Sequence, residues 1–213
     1  MKTKTGKALL LSLYTVALYY LFYNTFAYYI EHHNSYNLSS SLILAVAGLV
    51  TIPFVLYPFS FTSKPSGKGT TSKWEGALWL IITVILAVVL NVILTRIPSL
   101  INDDLYKSSF AQITGGGFWH TVIATCIVSP VLEEIVFRGV VFGQMKEAFG
   151  TVVGVIVSAA CFGIVHHNMA QLIYAAIMGV VLATMYHRMK RLYFPMIAHA
   201  LANLAVLMMT YFL

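Results

Sequence analysis

Apolar residues run along this chain in long blocks separated by short polar breaks. Seven blocks reach helix length, over residues 8–30, 40–60, 75–95, 117–146, 151–167, 169–187 and 193–213. A helix needs about 20 apolar residues to cross the hydrocarbon core of a bilayer. The pattern therefore predicts an all-α fold, a polytopic membrane bundle of about seven transmembrane helices. The fifth and sixth blocks are short, and almost nothing joins them but the HHNMA that begins at His166. The first block is longer than the apolar region of a secretory leader, and no small-residue cleavage site follows it, so it is expected to stay as a helix. Of the polar breaks, SKPSGKGTTSK (63–73) reads as a flexible loop, and RIPSLINDDLYKSS (96–109) as a second polar stretch. Neither has room for a soluble domain, so residues 1–213 form a single membrane domain with three helices in 1–116.

Composition agrees. Of 213 residues, 59% are hydrophobic and 9% charged, against roughly 25% charged in soluble domains. The net charge of +6 does not point to nucleic acid, because the basic residues flank apolar blocks instead of forming a patch with aromatics. They also set a topology. Lys2, Lys4 and Lys7, then Lys64, Lys68 and Lys73, then Lys146, then Arg188, Lys190 and Arg191 all fall on one side if seven helices alternate. Glu31, Arg96, Asp103, Asp104 and Lys107 fall on the other. The rule that basic loops stay inside puts the N-terminus in the cytoplasm, with Trp74, Trp119, Tyr28 and Tyr29 as interfacial aromatics. Cys126 and Cys161 lie inside apolar blocks without metal-site or redox spacing, and read as buried, unpaired thiols.

The informative residues are the polar ones inside the apolar blocks. SPVLEEIVFRG (129–139) places Glu133, Glu134 and Arg138 within six residues. Each such charge costs about 2.5–3.5 kcal/mol at a membrane helix centre even on the mild insertion scale. Glu134 and Arg138 are four apart and share a helix face, so they can form an ion pair that fixes helix register or supports a site. Glu133 is rotated by about 100° and has no partner on its own helix. It must find partners on other helices or be protonated, which suits a general base. Pro130 frees a backbone carbonyl one turn earlier. His166 closes the stripe Gly150, Gly154, Ser158, Phe162, His166, whose small residues mark a close helix approach, so it faces the bundle interior. HALAN (199–203) sets His199 and Asn203 on one face. His32, His33, His120, His167 and His187 read as interfacial, and the many Tyr, Phe and Met residues as packing.

A carboxylate can activate water, imidazoles can hold a metal or stabilise an oxyanion, and an amide can donate to one. Together these suit hydrolysis of an amide. Other routes to intramembrane proteolysis lack their residues: there is no HExxH, no GxSxG and no aspartate within an apolar block. The ordered motifs EEIVFR, FGIVH and HALAN resemble the CPBP family, the CAAX proteases and bacteriocin-processing enzymes also called Abi proteins. The resemblance covers about residues 129–203, and puts the catalytic core in 117–213. It implies an intramembrane endopeptidase acting on a membrane-associated protein or peptide in a bacterial plasma membrane, with roles that include peptide processing and bacteriocin self-immunity. It implies Glu133 as the water-activating base, Glu134 and Arg138 as its support, His166 as catalytic or metal-binding, and His199 and Asn203 as metal-binding or oxyanion-stabilising. Zn2+ or another divalent ion on His166 and His199 is one expectation; a glutamate and histidine mechanism without metal is the other.

The alternation of helices raises a difficulty. His166 falls near the outer end of its block and His199 near the cytoplasmic end of its own, yet the mechanism needs both beside Glu133. Two competing readings use the same residues: a non-proteolytic scaffold or immunity protein of the same fold, and a transporter or proton relay.

Overall fold

A computed structural model describes residues 2–62, 69 and 72–212. Among these residues all regular structure is helical: α1 Lys2–His32, α2 Ser40–Ser60, α3 Lys73–Leu94, α4 Pro98–Ile101, α5 Asp104–Thr114, α6 Gly117–Phe149, α7 Thr151–Ile164, α8 Met169–Met189 and α9 Tyr193–Phe212. Six of them, α1, α2, α3, α6, α8 and α9, are long and apolar enough to cross a membrane. The chain is an integral membrane protein.

Its packing is inverted relative to a soluble domain. Large apolar side chains such as Leu10, Leu13, Ile81, Ile85, Val152 and Ile156 point outward, where lipid can cover them. The charged residues Glu133, Glu134 and Arg138 are buried instead. They belong to α6, the central helix, which touches α1, α2, α7, α8 and α9. Its inward side chains Leu132, Val136, Phe137, Phe142 and Met145 are almost wholly covered.

α6 is not a uniform helix. Val122–Val128 and Ile135–Phe142 are wound as π-helix, on either side of the α-helical turn Ser129–Glu134. π-helical turns are rare, and leave carbonyls that need partners from elsewhere. Here the proline supplies the reason for one of them. The Ser129 N–H bonds to the Ala124 carbonyl, five residues back, and Pro130, the next in that register, has no N–H to offer Thr125. The Thr125 carbonyl instead accepts the side-chain amide of Asn203 on α9, at 2.7 Å. The Phe137 carbonyl accepts Ser158 Oγ of α7 at 2.8 Å. Side chains from two neighbouring helices thus satisfy the backbone that flanks the glutamates.

Two expectations change. The fifth block, expected over 151–167, is a helix only to Ile164. Its 14 residues rise about 21 Å, short of a hydrocarbon core of roughly 30 Å. The helix ends there because Asn168 is taken up in capping α8: its Oδ1 accepts Gln171 N–H at 2.9 Å, and its Nδ2 donates to Gln171 Oε1 at 3.0 Å. The polar stretch 96–109 is not a plain loop, since it forms α4 and most of α5. Pro98 opens α4, and Asp103 with Asp104 opens α5, where acidic groups favour a helix start. Lys64 and Lys68, with most of the loop expected at 63–73, lie outside the described residues.

The turn from α6 into α7 passes through Gly150, whose φ of +90° suits a residue without a side chain. Gly154 then lets α7 approach the α6 backbone at Lys146, where a Cβ would lie only 3.0 Å from the Lys146 nitrogen. The stripe of small residues read from the sequence is this contact. At the same end of the bundle Lys146 lies beside Lys190, and Arg188 pairs with Glu75 of α3 at 3.1 Å. The basic ends of α6 and α8 therefore meet, and that of α8 reaches the start of α3.

Candidate active site

A cavity of about 670 Å³ opens between α1, α3, α5, α6, α8 and α9, within the range of small-ligand sites. Glu133, His166, His199 and Asn203 all line it. The short α7 resolves the difficulty of depth. It stops part-way through the bundle, so His166, two residues past its end, shares a cavity with His199 instead of sitting at the far surface. The Phe162 ring joins the two, edge-on to His166 at 5.2 Å and to His199 at 5.6 Å between ring centroids.

Glu134 and Arg138 form the expected ion pair, Oε1 to Nη1 at 2.8 Å, with both side chains fully buried. The contact has ion-pair proximity without a well-aligned hydrogen bond, since Arg138 Nε, Nη1 and Nη2 and Glu134 Oε2 lack hydrogen-bond partners. The guanidinium also stacks over the Phe162 ring, 4.4 Å from its centroid, a favourable placement for a desolvated cation. The same Glu134 Oε1 accepts from His199 Nδ1 at 3.0 Å. His199 is thereby oriented, with Nε2 turned to Glu133 Oε2 at 3.7 Å. The two adjacent carboxylates leave α6 in different directions and address opposite nitrogens of one imidazole. Their rotation of about 100° on the helix keeps the two carboxylates from pairing with each other, and the histidine between them is what brings them into one site.

Glu133 does have a partner on its own helix, contrary to the expectation. Ser129, one turn earlier, donates Oγ–H to Glu133 Oε1 at 2.6 Å. Tyr19 of α1 lines the cavity with Glu133, and Tyr23, stacked on Tyr19 at 5.9 Å, lines it too. The sequence reading counted Tyr19, Tyr23 and Phe162 as packing. Nothing in an apolar block distinguishes a tyrosine facing a carboxylate from one facing lipid. For Phe162 a signal existed, its place four residues before His166.

His166 Nδ1 donates to the Phe162 carbonyl at 2.7 Å, so Nε2 is the nitrogen left for other partners. Asn203 commits one amide hydrogen to Thr125 and keeps the other. Zinc chemistry favours two imidazoles with a carboxylate and an open position, but the arrangement does not gather such a set. Among the described residues no group of three or more His, Cys, Asp and Glu side chains is placed to hold a metal ion. His167, expected at the interface, also lines the cavity, while His120 bonds Ser39 at 2.9 Å and His32 and His33 bond backbone carbonyls of α1. Both cysteines are free thiols.

Fold and site together define an integral membrane domain with a carboxylate, imidazole and amide set lining one cavity. Residues 115–205 match the family model of type II CAAX prenyl endopeptidases, Rce1-like. This stretch is similar to the Rce1-like CAAX protease domain. The chain is 38% identical over 88 residues to YdiL of Bacillus subtilis (strain 168), named as a candidate membrane peptidase, a match covering 41% of this chain and 36% of that protein. It is 34% identical over 83 residues to the membrane-embedded CAAX protease MroQ of Staphylococcus aureus (strain USA300), covering 36% and 34%. The matches thus span about a third of the length of these curated relatives. No solved structure matches the chain.

Proposed function

We propose that this protein is an intramembrane endopeptidase that hydrolyses a peptide bond of a membrane-associated protein or peptide, with Glu133 as general base. The observation that carries the reading is Glu133 itself: a buried carboxylate on a cavity wall, held by Ser129 and faced by His199. Glu133 takes a proton from water as the water oxygen bonds to the peptide carbonyl carbon. The oxyanion that forms is met by the free amide hydrogen of Asn203, while His166 Nε2, left without a hydrogen because Nδ1–H is committed to Phe162, faces the cavity as an acceptor for water or substrate N–H. The C–N bond then breaks, and the proton held by Glu133 passes to the departing amine. Glu134 and Arg138 keep His199 in place. Because the described side chains do not gather three metal ligands, no step is routed through a metal.

The peptide-processing and bacteriocin self-immunity roles implied by the sequence resemblance both call for this reaction. We place the protein in a bacterial plasma membrane with its N-terminus in the cytoplasm. A non-proteolytic scaffold has no use for a base held in a cavity of this size.

The test is cleavage by the purified full chain in proteoliposomes, using a panel of membrane-associated peptides with and without a prenylated C-terminal CAAX sequence. Glu133→Gln should lower kcat by about 10²–10⁴-fold, the usual contribution of a general base, at unchanged expression and folding. A Glu133→Gln variant as active as the wild type sinks the assignment.

A further inference from the structure

Each long helix that walls the cavity gives it only the half that points away from the basic residues. The lining residues fall within 19–27 of α1, 91–94 of α3, 124–133 of α6, 170–178 of α8 and, apart from His199, 203–210 of α9. The basic residues sit at the opposite ends. Lys7 and Lys73 lie where α1 and α3 begin, Lys146 and Arg188 where α6 and α8 finish, and Arg191 just before α9. Among the described residues no lysine, arginine or aspartate lines the cavity.

The two ends of the cavity differ in cover. Glu133 and His199 are each 7% exposed and form its floor. Gln112 of α5, His167 and Thr210 of α9 also line it and are exposed, so the mouth lies on their side. Behind Glu133 the bundle is shut. Residues 134–142 of α6 are all buried, and Leu182 and Met185 of α8 cluster with Ala198 of α9 without exposed surface. About three helical turns of α6 separate Glu133 from Lys146. Interiors packed in this way leave few gaps larger than a water molecule, so a peptide has no path through them from the basic end.

Basic loops stay on the cytoplasmic side. The closed half is then the cytoplasmic half, and the mouth faces the other way. We propose that substrates reach Glu133 from the non-cytoplasmic face, so that the protein cleaves polypeptide segments that have crossed the membrane or lie against its outer leaflet. This rests on Glu133 being the base and on the N-terminus being cytoplasmic. The products, a new carboxylate and a new amine, leave by the same mouth. A chain end presented from the cytoplasm would first have to displace the packed half of the bundle.

The experiment uses the full chain in right-side-out and inverted membrane vesicles, with a charged, membrane-impermeant methanethiosulfonate as the probe. Gln112→Cys reports on the mouth, and Val206→Cys, on the α9 wall beyond Asn203, reports on the interior of the cavity. Arg191→Cys marks the basic end, and the wild type gives the background of Cys126 and Cys161. Gln112→Cys and Val206→Cys should label in right-side-out vesicles and lose that labelling in inverted ones, with the reverse for Arg191→Cys. A peptide that the proteoliposomes cleave should be cut when added to right-side-out vesicles and stay intact with inverted ones. Labelling of Val206→Cys from the cytoplasmic side, or from neither side, overturns the proposal, and so does cleavage by inverted vesicles. Labelling of Arg191→Cys from outside removes the orientation and the proposal with it. If Glu133→Gln cleaves as the wild type does, or nothing is cleaved, the reading of the base fails while the labelling still decides the face of entry.

Discussion

Replacing Glu134 by glutamine strands a cation in the centre of the bundle. Both members of the Glu134–Arg138 pair have no exposed side-chain surface, so water cannot take over from the lost charge. Breaking a buried pair by removing one partner costs about 3–5 kcal/mol, because the other charge stays behind uncompensated. The stacking of Arg138 on Phe162 does not offset this, since it is present before and after the change. For a chain of this size 1 kcal/mol moves Tm by about 2–4 °C, so the expected loss is about 6–20 °C. The assay is thermal unfolding of the purified protein in detergent. A second variant isolates the cause. Glu134→Gln combined with Arg138→Met removes both charges and leaves an apolar side chain of similar length, which buried pairs often tolerate with little loss. The double variant should regain most of the stability and none of the activity, because His199 still lacks its carboxylate. A single variant as heat-stable as the wild type, or a double variant no more stable than the single, would refute the reasoning.

Two further outcomes follow from the site. Asn203→Ala removes the partner of the Thr125 carbonyl as well as the proposed oxyanion donor. It should lose about 1–3 kcal/mol of stability for the orphaned carbonyl, and about 10²–10³-fold in kcat for the donor, read from Tm and steady-state cleavage. Metal chelators such as EDTA or 1,10-phenanthroline should leave cleavage by the reconstituted protein unchanged; loss of activity that returns on adding Zn2+ would mean that the histidines and Glu133 rearrange around an ion.

The all-helical membrane fold was legible from the apolar blocks, because lipid demands a helix of a given length and the sequence must spell it out. Glu134 with Arg138 was legible too, since an i, i+4 spacing is a local fact. The partners of Glu133 were legible only in part. Ser129 sits one turn away and follows from the same spacing rule, whereas the facing His199 is contributed by packing between α6 and α9, which no periodicity reports. The meeting of both glutamates on His199 depends on where α9 crosses α6. The end of α7 was misread because hydropathy continues through Val165, while the capping demand of Asn168 stops the helix. The helical nature of 98–114 was hidden by its polarity: hydropathy finds helices that cross lipid, and α5 is not one of them.

The brevity of α7 has a mechanical consequence for the bilayer. Its outward residues Val152, Ile156 and Ile164 are exposed, so this is a face that lipid must cover. A hydrophobic wall about 9 Å shorter than the surrounding core leaves the acyl chains there a choice between compressing and exposing their ends, at a cost of fractions of a kcal/mol per Å. Headgroups and their water are drawn inward on that side, toward the polar turn that carries His166. The fold thus builds a dimple in its own solvent beside the cavity, a wetter and thinner route by which the two reactants of the proposed hydrolysis, an amide bond and a water molecule, would reach Glu133.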